Sequence, residues 1–297
     1  MPVDTFAIRA DEVLTMPERV DALSAYDPEG EIAARDRELT GLIEDGGVFV
    51  EGGEIGWVGR WEERPKGADA DEVAQVEVGV VTPGWIDCHT HAVFAGERSD
   101  EFVLRNAGRE YVEILEEGGG ILNTVESVRR ASTEELAELL FDRVFESVRL
   151  GVTTLEVKSG YGLTVSDELK LLKAIEQVAE EDVPCELVPC FLGAHAIPDN
   201  YREDREGYVE LVCQEMIPAV AERDLADYCD VFCDRGAFSV EESRRILEVG
   251  RQHGMIPRLH ADELSEAGAA ELAADIGAAS ADHLEYTDEA ALRAMAE

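Results

Sequence analysis

The chain has 297 residues, with 66 acidic and 26 basic side chains and a formal net charge of −40. A charge of this size argues against nucleic acid and anionic membranes as partners, because both carry charge of the same sign. The sequence shows no signal peptide and no apolar run long enough to cross a bilayer, so we expect a soluble, cytoplasmic protein.

Acidic residues occur along the whole chain, whereas only four of its 26 basic residues are lysines. This composition is typical of a halophilic protein, in which salt screens the repulsion between like charges; the Debye length falls to about 3 Å at 1 M salt. We therefore expect the fold to lose stability at low salt. Six cysteines without a CxxC pair do not suggest a disulfide framework.

Residues 1–80 have the pattern of short strands and turns. The clearest example is a predicted hairpin, in which Gly47–Val50 and Glu54–Gly59 flank the pair Gly52–Gly53. We expect residues 1–80 to form the N-terminal part of a small β-sandwich-like domain.

From residue 81 onward, apolar strands alternate with loops and amphipathic helices, the pattern of a parallel α/β domain. Two helix starts are marked by capping boxes, at Ser132 with Glu135 and at Ser239 with Glu242. The predicted strands end near His91, Tyr161, His195, Ala237, Glu263 and His283. A closed barrel of this type needs eight strands, so residues 81–297 predict a TIM-like (β/α)8 barrel truncated after about six strands.

Histidines cluster at the predicted strand ends. Five of the six histidines lie there, whereas His253 lies at the end of a predicted helix and is expected at the surface. In (β/α)8 barrels, catalytic side chains sit at the carboxyl ends of the strands. The placement therefore indicates a catalytic or metal-binding site at this end of the barrel.

The segment Asp87–His91 contains His89 and His91, separated by one residue. Because side chains alternate along a strand, both imidazoles would lie on one face of it and reach one ion. An HxH pair alone is a weak signal, but His260 at a later strand end can supply a third imidazole. Imidazoles suit Zn²⁺ or iron, and three of them with one carboxylate leave a coordination position open for water.

Two further residues near these strand ends can take part in hydrolysis. Glu263 follows His260 by three residues, so its carboxylate could move the proton of an activated water. In so acidic a chain, the same glutamate could equally form a salt bridge. His283 could polarise a carbonyl group or a water near the same ion.

Extended blocks of the sequence resemble the imidazolonepropionase family of the amidohydrolase superfamily. The blocks are PGWIDCHTHAVFAGER at 83–98, GVTTLEVKSGYGL at 151–163, FLGAHA at 191–196 and HADE at 260–263. The resemblance covers nearly the whole segment from Val81 to Tyr286. It implies hydrolysis of the cyclic amide C–N bond of 4-imidazolone-5-propanoate to N-formimidoyl-L-glutamate, in histidine breakdown.

The resemblance also implies roles for individual residues. The implied ligands of one Zn²⁺ or Fe³⁺ ion per subunit are His89, His91 and His260. The implied substrate contacts are Arg98, Tyr161, His195 and Glu263. Glu263 and His283 would then be the catalytic groups, and related enzymes make a homodimer plausible.

Simple chemistry agrees with the implied substrate contacts and also allows other roles. The guanidinium of Arg98 could grip a propionate with two hydrogen bonds, although it could also form a surface ion pair. Tyr161 lies between two glycines, which would let its phenol approach a ligand or cap the barrel rim. His195 could hydrogen-bond the lactam or donate a proton.

One part of the family pattern does not occur in this sequence, namely an aspartate ligand at the end of the eighth strand and a following Asn-Pro-Gly segment. We therefore expect the last two barrel strands to be missing. Binuclear relatives carry a carbamylated lysine after the fourth strand, and no lysine follows the fourth predicted strand here, so the resemblance implies one metal ion. Two alternatives stay open: a mononuclear aminohydrolase that acts on a heterocyclic base, and an inactive metal-binding fragment.

Overall fold

The computed structural model describes residues 4–16, 40–69, 73–109 and 120–296. The chain divides into two compact units, Met1–Gly84 and Trp85–Glu297. Within the described ranges, none of the helices combines the length and the apolar composition that crossing a membrane requires.

The described strands of the first unit form one four-stranded sheet. They are β1 (Phe6–Leu14), β2 (Leu42–Glu51), β3 (Glu54–Arg60) and β4 (Ala74–Val81), in the order β3-β2-β1-β4. β1 pairs antiparallel with β2 and parallel with β4, and 3₁₀ helices at Trp61–Glu63 and Lys66–Asp69 follow β3. Gly52 and Gly53 turn β2 into antiparallel β3 with φ angles of 64° and 82°, which side chains other than glycine rarely adopt. The predicted hairpin is confirmed.

Six parallel strands form the sheet of the second unit. They are β5 (Trp85–Asp87), β6 (Val152–Lys158), β7 (Glu186–Ala194), β8 (Tyr228–Cys233), β9 (Ile256–Ala261) and β10 (Ser280–His283). Each strand pairs with the next one in the chain. Sequential parallel pairing with intervening helices is the arrangement of a (β/α)8 barrel. The sheet therefore fits six consecutive strands of the predicted TIM-like barrel.

Helices connect these strands. They are α1 (Ser99–Asn106), α2 (Ile121–Arg130), α3 (Thr133–Arg149), α4 (Val165–Ala179), α5 (Arg205–Leu211), α6 (Ile217–Ala221), α7 (Val240–Gln252), α8 (Ala269–Ile276) and α9 (Glu289–Ala296). A 3₁₀ helix, Asp199–Tyr201, follows β7, and a π-helical turn, Val212–Met216, joins α5 to α6. Both predicted capping boxes are present, at the starts of α3 and α7.

The two faces of the parallel sheet differ in chemistry. On one face, apolar side chains such as Leu155 and Val157 of β6 belong to the core, together with Leu136 and Leu140 of α3. Alternate residues of each strand point to the opposite face. Buried polar residues lie there, namely Glu156, Lys158, Asp230 and His260. This polar layer lies behind the carboxyl ends of the strands.

The first strand of the barrel is shorter than predicted. β5 ends at Asp87, so the prediction that His89 and His91 lie on the face of a strand is wrong. The following segment nevertheless stays beside β6, because the carbonyl oxygen of Thr90 accepts a hydrogen bond from the N–H of Lys158 at 2.9 Å. A loop held against the sheet therefore carries the HxH pair.

Three other strands also end before their predicted positions. β6, β8 and β9 end at Lys158, Cys233 and Ala261. Beyond these ends the chain leaves the extended region, with positive φ angles at Gly160 (104°), Gly236 (95°) and Asp262 (50°). The pairing of β6, β8 and β9 has ended before these residues, so Tyr161 and Glu263 lie on loops.

Candidate metal centre and active site

Three imidazoles from two separate parts of the chain converge at the carboxyl end of the sheet. His89 and His91 come from the loop after β5, and His260 comes from β9. The Nε2 atoms of His91 and His260 are 3.1 Å apart, and one nitrogen from each of the three rings lies within 4.8 Å of the others. The structure thus brings together the three residues predicted as metal ligands.

Carboxylates behind two of these rings fix which nitrogen faces the centre. Nδ1 of His89 is 2.8 Å from Asp282, and Nδ1 of His260 is 3.1 Å from Asp230. An ionised carboxylate can only accept a hydrogen bond, so each Nδ1 donates its N–H to the carboxylate and Nε2 is the ring atom left for an ion. This is the orientation that metal-binding histidines adopt.

The spacing and the charge state of the rings also fit a metal ion. Ligands in a tetrahedral Zn²⁺ site at 2.0–2.1 Å from the ion lie roughly 3.3 Å apart, within the range spanned by these three rings. Burial and the neighbouring His195 and His260 lower the pKa of His91 well below its usual range, so its imidazole is neutral. A neutral imidazole is the form that binds zinc or iron.

A network of buried charges lies directly behind the three rings. The ammonium group of Lys158, which is 0% exposed, donates to Asp230 at 2.7 Å and to Glu156 at 2.8 Å. It also lies 3.6 Å from Asp282. Burial alone would raise the pKa of Asp230, but His260 and Lys158 lower it well below its usual range, so the carboxylate is ionised.

His195 and Tyr161 line one side of the centre. The ring of His195 stacks on His91 with centroids 4.8 Å apart, and its Nδ1 lies 3.0 Å from the carbonyl oxygen of Gly160. Burial and the nearby His260 lower the pKa of His195 to about 3, so it is neutral. The mostly buried Tyr161 has its ring centroid 5.3 Å from that of His195.

A buried carboxylate holds the loop that carries Tyr161. Glu168 of α4 accepts hydrogen bonds from the backbone N–H groups of Gly160, Gly162 and Leu163, at 2.9, 2.8 and 2.8 Å. Burial raises the pKa of Glu168, and hydrogen bonds from the Ser159 side chain and from these backbone groups oppose that shift only in part. The loop is therefore tied to the start of α4 through one side chain.

Glu263 and His283 lie on another side of the centre. Nε2 of His283 is 3.6 Å from the carboxylate of Glu263, and the His283 ring centroid is 5.0 Å from that of His89. Asp262 fixes the backbone before Glu263, since its carboxylate accepts from the N–H of Ala267 at 2.9 Å. The structure thus brings both predicted catalytic residues beside the predicted ligands.

Arg98 is set apart from the other predicted site residues. It lies just before α1 with an exposed side chain that pairs with no carboxylate of the described residues. Its positive charge is one of the factors that lower the pKa of His195, after burial and His260. Among the described residues, Arg98 forms no hydrogen bond or ion pair with the imidazoles.

The sequence interpretation missed the charged residues behind the ligands, namely Glu156, Lys158, Asp230, Arg258 and Asp282. A signal for two of them was available. Lys158 is one of only four lysines and follows a run of strand residues, and Asp230 interrupts the apolar strand β8. A charged residue within a buried strand requires a partner, and that requirement could have marked them.

Proteins named imidazolonepropionase match most of the chain. The chain is 52% identical to the protein from Myxococcus xanthus over 252 residues, which are 84% of this chain and 60% of that protein. It is 46% identical to the protein from Alkaliphilus metalliredigens over 264 residues, 88% of this chain and 62% of that protein. The chain thus covers less than two thirds of the length of these relatives. No family model matches it.

Solved structures share the fold at low sequence identity. A. niger ochratoxinase has a TM-score of 0.60 and 18% identity, covering 99% of this chain and 63% of that chain. Guanine deaminase from C. acetobutylicum has a TM-score of 0.60 and 12% identity, covering 98% of this chain and 65% of that chain. The resemblance read from the sequence motifs is confirmed: over most of its length, this chain is a homologue of imidazolonepropionases.

Proposed function

We propose that this protein is a metal-dependent hydrolase that opens the ring of 4-imidazolone-5-propanoate to give N-formimidoyl-L-glutamate, a step of histidine breakdown. The observation that carries the proposal is the convergence of one ring nitrogen from each of His89, His91 and His260 within 4.8 Å of the others. The identity of 42–52% to proteins named imidazolonepropionase supports the choice of substrate.

His89, His91 and His260 would hold one Zn²⁺ or iron ion, because the donor set and its spacing suit both. The bound ion would supply Lewis acidity, which lowers the pKa of a coordinated water from 15.7 to about 7. The carboxylates of Asp230 and Asp282 keep the rings of His260 and His89 in the tautomer that this requires.

Glu263 carries the proton. Water adds to the carbonyl carbon of the ring, and the carboxylate of Glu263 accepts a proton from that water. When the C–N bond breaks, Glu263 passes the proton to the departing nitrogen, so that the carbonyl carbon becomes the new carboxylate. His283, 3.6 Å from Glu263, lies where it can stabilise the negative charge that develops on the carbonyl oxygen.

The remaining residues bind and orient the substrate. The neutral His195 donates its Nδ1–H to the carbonyl oxygen of Gly160. Its Nε2 can therefore accept a hydrogen bond from the ring N–H of the substrate. The ring of Tyr161, beside His195, offers a planar surface for the imidazolone. Arg98 supplies a positive charge for the propionate in a chain of net charge −40.

The test follows the loss of imidazolone absorbance with the metal-loaded chain. Glu263→Gln should lower turnover by about a hundredfold or more with an unchanged metal content. His91→Ala should lose the metal. His253→Ala, at the exposed end of α7, is the matched control and should leave turnover and metal content unchanged. If the loaded chain leaves the imidazolone intact and instead releases ammonia from a heterocyclic base, the proposal is wrong. A homodimer and a cytoplasmic location stay predictions.

A further inference from the structure

Lys158 occupies a central position behind the metal centre. It ends β6, and its side chain is fully buried. Its ammonium group contacts carboxylates from three strands: Glu156 of β6 at 2.8 Å, Asp230 of β8 at 2.7 Å and Asp282 of β10 at 3.6 Å. Two of these carboxylates are the hydrogen-bond partners of ligand histidines.

The surrounding charges explain why this site takes a cation. Glu156, Asp230 and Asp282 bring three negative charges, and Arg258 balances part of them through a hydrogen bond to Glu156 at 2.7 Å. Without Lys158, Asp230 would face only His260 in a buried setting. A buried carboxylate that loses a charged donor turns toward other donors, which would change its contact with His260.

The contacts form two chains that start at the same ammonium group. One runs from Lys158 through Asp230 to Nδ1 of His260, with steps of 2.7 and 3.1 Å. The other runs through Asp282 to Nδ1 of His89, with steps of 3.6 and 2.8 Å. A single side chain thus connects ligand histidines that lie 171 residues apart in the sequence, since 260 − 89 = 171.

We propose that Lys158 is a positioning residue of the metal centre: by holding Asp230 and Asp282, it fixes His260 and His89 with Nδ1 protonated and Nε2 facing the ion. The proposal rests on the metal centre of the proposed function, and it assigns Lys158 no contact with substrate. Loss of a carboxylate behind a ligand histidine typically weakens metal binding by about 10- to 100-fold. Loss of Lys158 disturbs two such carboxylates, so we expect a weakening at or above the middle of that range.

The test uses Co²⁺ as the probe and the metal-free chain as the starting material. Wild type and Lys158→Met are titrated with Co²⁺ in competition with a chelator, and the visible absorption band of the bound ion is recorded. Lys158→Met should bind Co²⁺ about 30-fold more weakly or worse, with a changed band. Lys170→Met is the matched control, because Lys170 is also largely buried but contacts Asp167 and the carbonyl oxygen of Val128, away from the centre.

Nitrogen NMR of the histidine rings in the metal-free chains gives a second readout that does not depend on activity. The wild type should show Nδ1-protonated rings for His89 and His260, and Lys158→Met should show mixed tautomers. If Lys158→Met does not fold, Lys158→Gln replaces it, since glutamine keeps two N–H donors and should fall between wild type and the methionine variant.

Wild-type Co²⁺ affinity, band and tautomers in the folded methionine or glutamine variant would overturn the proposal. An absence of Co²⁺ binding by the wild type would overturn it together with the proposed function. Co²⁺ binding that depends on Lys158, without turnover of the imidazolone, would support the positioning role and contradict only the proposed activity.

Discussion

Replacing Glu168 with alanine is expected to loosen the loop that carries Tyr161. The buried carboxylate accepts hydrogen bonds from the N–H groups of Gly160, Gly162 and Leu163 at 2.9, 2.8 and 2.8 Å. A buried donor left without an acceptor costs about 1–3 kcal/mol, so three such donors should lower the free energy of unfolding by about 3 kcal/mol or more. The Michaelis constant for the proposed imidazolone substrate should rise as well, because the Tyr161 ring loses its fixed position.

Glu168→Gln separates the loss of the acceptor from the loss of the side chain. The amide oxygen of the glutamine can still accept a hydrogen bond from the loop, but its NH₂ group faces a backbone N–H, and two donors cannot pair. The expected loss in the free energy of unfolding is therefore about 1–3 kcal/mol. Urea unfolding measures both variants against Glu176→Ala, an exposed position on the same helix, where a change within about 0.5 kcal/mol is expected. If Glu168→Ala costs no more than this control, Glu168 does not hold the loop.

Three further predictions concern pH, backbone conformation and salt. Burial raises the pKa of Glu242, but the hydrogen bond from Arg205 and other contacts outweigh burial and lower it below its usual 4.5. Glu242→Gln should therefore cost about 1–2 kcal/mol at pH 7. The difference in the free energy of unfolding between wild type and variant should be complete above about pH 4.5, and it should vanish as the pH falls through the lower pKa of Glu242 in the folded state. A difference that does not change with pH would contradict this prediction. Glu135→Gln, in a capping box to which no arginine of the described residues donates, should show a smaller effect. Gly160→Ala places a Cβ 3.0 Å from Nδ1 of His195 at a φ of 104°, so unfolding should become easier by about 1–3 kcal/mol, and an unchanged urea midpoint would count against this. Raising KCl from 0.1 to 2 M should raise the urea midpoint, whereas equal midpoints would contradict the halophilic interpretation.

Local signals in the sequence predicted the elements of the barrel well. The capping boxes at Ser132 and Ser239 mark the starts of α3 and α7 because they depend on residues three positions apart. Apolar periodicity predicted the number of strands, because it too depends on residues that are close together in the sequence. The ends of the strands were predicted less well, since hydrogen bonds across the sheet and single residues such as Asp262, with its φ of 50°, decide where the ladder stops.

The charged layer behind the metal centre could not be predicted from local patterns. Lys158 and Asp230 lie 72 residues apart and belong to β6 and β8, which are separated by β7 in the sheet. Their side chains meet because they lie on the same polar face of the parallel sheet. The site histidines could be predicted, because they lie near predicted strand ends and catalytic side chains of (β/α)8 barrels lie at the carboxyl ends of the strands.

X-ray absorption spectroscopy of the zinc-loaded chain shows whether His89, His91 and His260 bind one ion through nitrogen. We expect one ion per chain, with imidazole nitrogens at about 2.0–2.1 Å. Sulfur scattering at about 2.3 Å from cysteine ligands, or a chain that holds no stoichiometric ion, would contradict this expectation.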